Sequence, residues 1–166
     1  MAICPIVTWP DPRLKAKAAP VTVFDDALAR LADDLLDTMR AAPGVGITAP
    51  HLGEPLRLVV LELSPADGVR VYVNPELLEV STETLRHAEG SVSMPGVVDE
   101  IERPARVRIA YRDLAGGDHV ETAEGFLAVC LQHEIDQLDG IFWLDRLSRL
   151  KRDRAVKRAE KLRRRG

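Results

Sequence analysis

Gln132-His133-Glu134-Ile135-Asp136-Gln137 is the stretch of this sequence whose residue types and spacing best suit chemistry. On a helix, residues four apart share one face. A His-Glu pair with a second His at the fourth step is a zinc-hydrolase pattern. The two imidazoles hold one metal, and the Glu takes a proton from bound water. Here the fifth position is Gln137, so the face offers one imidazole and one amide. Taken alone, His-Glu-x-x-Gln is a weak signal, because a lone helical His also serves as an ordinary core or surface residue.

The surrounding pattern must place that stretch. A helix is expected from about Ala123 to Asp139, with Leu127, Leu131, Ile135 and Leu138 as its core stripe and Gly140 as its C-cap. An earlier helix is expected from about Asp25 to Ala41. Leu28, Leu31, Leu35 and Met39 recur there at three- and four-residue steps, Asp25 or Asp26 caps the start, and Pro43-Gly44 ends it. Between the helices, Gly44 to His51 reads as a tight loop. Arg57–Leu63, Val71–Asn74 and Ala105–Tyr111 read as strands, and Gly116-Gly117-Asp118 as a hairpin turn returning through His119–Thr122. Strands grouped between helices predict an α+β fold and not alternating βαβ units. The first twenty residues, with Pro5, Pro10, Pro12 and Pro20, read as an extended segment wrapping the domain. A final helix starts near Ser148 and turns Ala155, Val156, Ala159 and Leu162 to its apolar side.

At 166 residues the chain has the length of one ordinary domain, residues 1–166, able to bury a core without disulfides or structural metal. No apolar run approaches the ~20 residues of a membrane helix, and no secretory signal is visible. Cys4 and Cys130 lie far apart and form no CxxC spacing, so a reducing cytoplasm is the expected location. Aromatics are 4%, too few for base-stacking platforms, and no DNA partner is expected. Net charge is −3, but unevenly spread: residues 146–166 hold 11 Lys/Arg and 2 Asp/Glu, leaving the rest of the chain acidic. Such asymmetry marks either an interaction tail or a solvated charged helix face.

Three segments together resemble the peptide deformylase family. Its pattern has a Gly-x-Gly-φ-Ala-Ala-x-Gln loop (φ aliphatic), a Glu-Gly-Cys-Leu-Ser segment and a Gln-His-Glu-x-Asp-His-Leu-x-Gly helix. Here they read Gly44-Val-Gly46-Ile-Thr-Ala-Pro-His51, Glu89-Gly90-Ser91-Val-Ser93 and Gln132-His133-Glu134-Ile-Asp136-Gln137-Leu-Asp-Gly140, in the same order. Asp11-Pro12-Arg13-Leu14, Val73-Asn74-Pro75 and the run from Phe142 to Leu147 match as well, so the resemblance covers nearly the whole chain. It implies the family fold, with mixed or antiparallel sheets around the motif helix and a basic helix over 148–166. It also implies hydrolysis of the formyl group from the N-terminal formyl-Met of nascent peptides.

The departures fall where that chemistry needs particular side chains. The family holds ferrous iron or zinc with one Cys and two His. This chain keeps His133, but has Ser91 at the Cys position and Gln137 at the second His position. The loop Gln, which in the family binds the formyl oxygen and the oxyanion, is His51. Glu134, the family's general acid/base, is retained, as are Gly46, Glu89 and Gly90. A serine hydroxyl and an amide carbonyl are poor ligands for iron or zinc. The first expectation is therefore a deformylase-like protein with lost or much reduced activity and either no metal or a weakly bound divalent ion. It would still bind N-terminal peptide segments, with the ribosome reached through the basic helix. A second is an active hydrolase whose metal sits on His51, His133 and Glu134. A third is a metal-free hydrolase with Ser91 as nucleophile, His51 or His133 as base and Glu89 or Glu134 orienting it. Arg103 is a candidate contact for a peptide carbonyl or carboxylate, His87 a reserve ligand, and Cys130 a packing residue.

Overall fold

The computed structural model describes residues 2–165. Helix α1 (Asp26–Ala41) begins where the Asp25 carboxylate accepts the backbone N–H of Leu28 at 3.1 Å. Its stripe of Leu28, Ala32, Leu35 and Met39 is buried. Seven strands follow: β1 (Gly46–Thr48), β2 (Leu58–Leu61), β3 (Arg70–Val80), β4 (Thr84–Ser91), β5 (Met94–Pro104), β6 (Arg106–Arg112) and β7 (Asp118–Glu124). Then come α2 (Gly125–Leu138) and α3 (Arg149–Arg165). The strands form a five-stranded sheet in the order β1-β2-β3-β6-β7 and a separate β4-β5 hairpin, every pairing of named strands being antiparallel.

Strand β2 shows why the sheet lies where it does. All four residues are buried, although a strand with one wet face would alternate. Leu58 and Val60 join the cluster around α1, while Val59 and Leu61 join the cluster around α2. The strand is therefore covered on both faces, and its continuous apolar run follows from that. Helix α2 is the central element. Ala128 to Gln132 and Glu134 to Leu138 are buried, leaving little polar face.

Three sequence expectations are corrected. The Gly44–His51 segment is not all loop: β1 pairs with β2, and Ala49–Leu52 forms a 3₁₀ turn. The strand expected to end before Pro75 runs on to Val80. Asn74 takes a positive φ of 51° at an irregularity in the pairing with β6, and its side chain exchanges hydrogen bonds with the backbone of Val21. The β4-β5 hairpin was not expected, because its polar and apolar residues are mixed without a clean alternation.

The N-terminal segment is extended, with a 3₁₀ turn at Pro12–Lys15. It ties together the segments that carry the motifs. Val7 N–H donates to the His51 carbonyl, Trp9 N–H to that of Ser93 and Ala18 N–H to that of Leu138. Helix α3 packs Ala155 and Ala159 into a cluster with Val97 and Ile101 of β5, Phe142 and Trp143. Among the described residues, no helix is long and apolar enough to cross a membrane.

Candidate functional site

A cleft of about 650 Å³ opens between α2, the segment around β1 and the β4-β5 hairpin. Gly46, His51, Ser91, His133 and Glu134 line it, together with Glu89 and Gly90. Five of the six sequence-chosen positions are thus brought together. Ile6, Val98, Phe126 and Val129 supply apolar walls. Gly46 sits close against α2: a Cβ there would clash with Leu61 Cδ2 at 2.8 Å and come into contact with Glu134 Cδ at 3.4 Å, so a larger residue would have to push the Leu61 side chain aside.

Gln137 is the exception. It is buried but absent from the cleft lining, and its amide donates to the Leu14 carbonyl at 2.7 Å. The side chain is used to hold the N-terminal segment on α2. Cys130 does line the cleft, but burial, with the charges of Glu134 and Glu89, pushes its thiol up to about 12. It stays a protonated packing residue.

His133 is held from behind. Its Nδ1 lies 2.8 Å from Glu89 Oε1, and its Nε2 lies 3.5 Å from Glu134 Oε1. A carboxylate can only accept, so Nδ1–H donates to Glu89 and Nε2 faces the cleft. Burial works to lower the His133 pKa, but the Glu89 hydrogen bond and the charges of Glu134 and Glu89 outweigh it and raise it. Burial raises Glu134 to about 7, with the Glu89 charge adding to it against the lowering pull of His133. Glu134 can therefore hold or release a proton near neutrality, which is what a general acid/base requires.

Arg103 corrects the sequence reading. It is not in the cleft. It is 4% exposed and grips Glu89 through Nε and Nη2, at 2.6 and 2.9 Å, and Asp136 through Nη1 at 2.9 Å. Arg146 takes Asp136 from the other side with two bonds of 2.7 and 2.9 Å. The chain His133–Glu89–Arg103–Asp136–Arg146 fixes the imidazole by charge-assisted bonds. His87 lies off the lining, its ring tilted against Phe126 with centroids 4.6 Å apart, and its Nδ1 is 2.7 Å from the Ala88 carbonyl oxygen.

Ser91 Oγ accepts the Ser93 N–H at 3.1 Å, and no bond joins it to His133. Glu89 does orient His133 as a triad would require, but Nε2 faces Glu134 and not the serine.

His51 is 1% exposed, and its neighbour Thr48 was missed by sequence reasoning. Thr48 N–H donates to His51 Nδ1 at 2.9 Å, so the ring plays the part that Glu or Gln plays in a capping box. The signal for this contact lies in the loop pattern itself, since both Thr48 and His51 depart from it and they touch.

An α+β scaffold thus sets the His-Glu pair of helix α2 beneath this cleft. The match to known proteins gives this arrangement a family. Residues 3–153 match the model of the polypeptide deformylase family, and the chain belongs to that family. A peptide deformylase-like protein of Brucella melitensis is 63% identical over 99% of this chain and all of its own length. The crystal structure of a peptide deformylase from Legionella pneumophila superposes with a TM-score of 0.92 at 41% identity, covering 98% of this chain and 96% of that one. The Ehrlichia chaffeensis peptide deformylase, solved in complex with actinonin, gives 0.91 at 36%, covering 97% and 98%.

Proposed function

We propose that this deformylase-family protein binds N-terminal peptide segments in the cleft and has lost most or all deformylase activity. The observation that carries the reading is the placement of Gln137, whose amide is committed to Leu14 and lies off the cleft lining. A catalytic zinc or iron site needs about three protein ligands. Of the three positions the family uses, His133 alone presents a suitable nitrogen. Ser91 offers a hydroxyl whose proton is hard to remove. The residues present do not fit the family's metal, and among the described residues no group of three or more His, Cys, Asp and Glu is arranged to hold one. Five relatives named peptide deformylase-like are 58–64% identical, whereas three named peptide deformylase are 43–47% identical, which supports a divergent branch. The rewired His51/His133/Glu134 site and the Ser91 hydrolase find no such support.

The test is metal content by elemental mass spectrometry on anaerobically purified protein, beside hydrolysis of a formyl-Met peptide. Substoichiometric iron, zinc and nickel with no turnover is expected. One equivalent of metal with turnover refutes the reading.

The proposed partner is the ribosome in the cytoplasm, approached through α3. Its exposed face carries Arg154, Lys157, Arg158 and Lys161, opposite the buried Ala155 and Ala159. Deleting α3 would uncover that core contact, so charge reversal is the cleaner probe. Changing those four residues to Glu should abolish co-sedimentation with ribosomes, and binding by the unaltered protein should fall steeply with salt. Equal co-sedimentation by both proteins would remove the helix from the interaction.

A further inference from the structure

The β4-β5 hairpin is a sheet of its own, paired to none of the strands of the five-stranded sheet. A two-stranded ribbon is marginal by itself in water, so its place is set by what packs on it. Its turn supplies one wall of the cleft through Met94, Gly96 and Val97. Met94 and Val97, each 3% exposed, also belong to the cluster that holds Ala155 and Ala159 of α3. The cleft and the helix therefore share two side chains. Gly96 has a positive φ of 81°, and a Cβ there would meet Leu162 Cδ1 at 3.0 Å, so Leu162 rests on the turn itself. Toward the start of α3, Lys151 Nζ lies 3.5 Å from Asp99 Oδ1 and 3.5 Å from the Glu100 carbonyl oxygen. Helix α3 is thus laid along β5, from Asp99 and Glu100 to the turn at Gly96.

The outer face of α3 exposes Arg154, Lys157, Arg158 and Lys161. Arg154 and Arg158 are four residues apart, as are Lys157 and Lys161, and like charges at that spacing weaken a helix. Phosphates along this face offset the repulsion, so a polyanion binds the formed, seated helix better than a frayed one. That difference in affinity is what a ligand needs in order to shift a conformational equilibrium.

We propose that α3 holds the hairpin wall of the cleft in place, with Leu162 as the positioning residue, and that RNA phosphates on its outer face thereby tighten peptide binding in the cleft. The proposal rests on reading α3 as a ribosome-docking helix and the cleft as a peptide site, and adds a coupling between the two. When α3 is loosely seated, a peptide must itself order Met94, Gly96 and Val97. When phosphates have already seated the helix, that ordering is complete before the peptide arrives, and less of its binding energy is consumed. The coupling is reciprocal, so peptide in the cleft tightens RNA binding by the same factor.

The test is titration calorimetry of the whole protein with formyl-Met-Ala, at low salt, with and without a saturating oligouridylate. RNA should tighten peptide binding by about fivefold or more. Leu162→Ala keeps every charge of α3 and should still bind the RNA, but its peptide affinity should be lower and should no longer respond to RNA. Leu162→Met, close in volume, should restore the response. In ¹H–¹⁵N spectra, RNA should shift the Gly96 and Val97 amides of the unaltered protein and leave those of Leu162→Ala in place. RNA binding with no change in peptide affinity overturns the coupling alone, as does an equal RNA response in Leu162→Ala. Absence of RNA binding to the unaltered protein overturns both the docking role of α3 and the coupling. Absence of peptide binding in either state refutes the peptide reading of the cleft, and the Gly96 and Val97 shifts then still decide whether docking on α3 reaches the hairpin.

Discussion

Replacing Arg103 by alanine will destabilise the protein by about 3–5 kcal/mol, because it leaves two buried carboxylates short of a partner. Glu89 loses both of its guanidinium bonds and keeps His133; Asp136 keeps Arg146. The cost is dominated by the charge left behind and not by the worth of the pair itself. Against a typical stability of about 5–15 kcal/mol, this is a large share. Urea unfolding at neutral pH measures it. Arg103→Lys should recover part of the loss, since it restores the charge but not the planar fork that matches the Glu89 carboxylate. If the alanine variant does not fold, the lysine variant still reports. A loss below about 1 kcal/mol for alanine would mean that the network is solvated and does not hold His133.

The second large effect is on acid stability. His51 titrates at about 3 in the folded protein against an ordinary value of 6.5. Below 6.5 the unfolded chain takes up a proton that the folded protein refuses, so folding stability is lost as pH falls from 6.5 toward 3. Glutamine at this position does not titrate. Between about pH 7.5 and pH 5, the unaltered protein should therefore lose about 2 kcal/mol relative to His51→Gln. Glu134 runs the other way. Its folded value of about 7 lies above the ordinary 4.5, so its contribution is lost as pH rises through that interval. Both proteins share that term, and the comparison removes it. Urea unfolding of the two proteins at each pH is the measurement. A stability difference that does not change with pH would show that His51 is accessible to protons while folded.

Local pattern was enough for the elements with strong periodicity. The apolar steps of α1 and α2, the alternation of β6 and the cap at Asp25 are properties of short segments and could be read directly. The three motif segments likewise identified the family and chose five residues that line one cleft. The β4-β5 hairpin escaped notice because a ribbon of mixed polar and apolar residues has no periodic apolar signal.

What the sequence by itself determined was thus the α+β class, the family and five residues that line one cleft. Their roles were decided by tertiary structure. Arg103 lies 14 residues from Glu89 and 33 from Asp136, and only folding brings those charges together and takes the arginine out of the cleft. Gln137 meets the Leu14 carbonyl across 123 residues, which turns a possible ligand into a tether. His51 could have been ligand, base or donor from its identity alone. The backbone amide of Thr48 narrows the choice, because a hydrogen bond donated to Nδ1 puts the neutral ring's proton on Nε2.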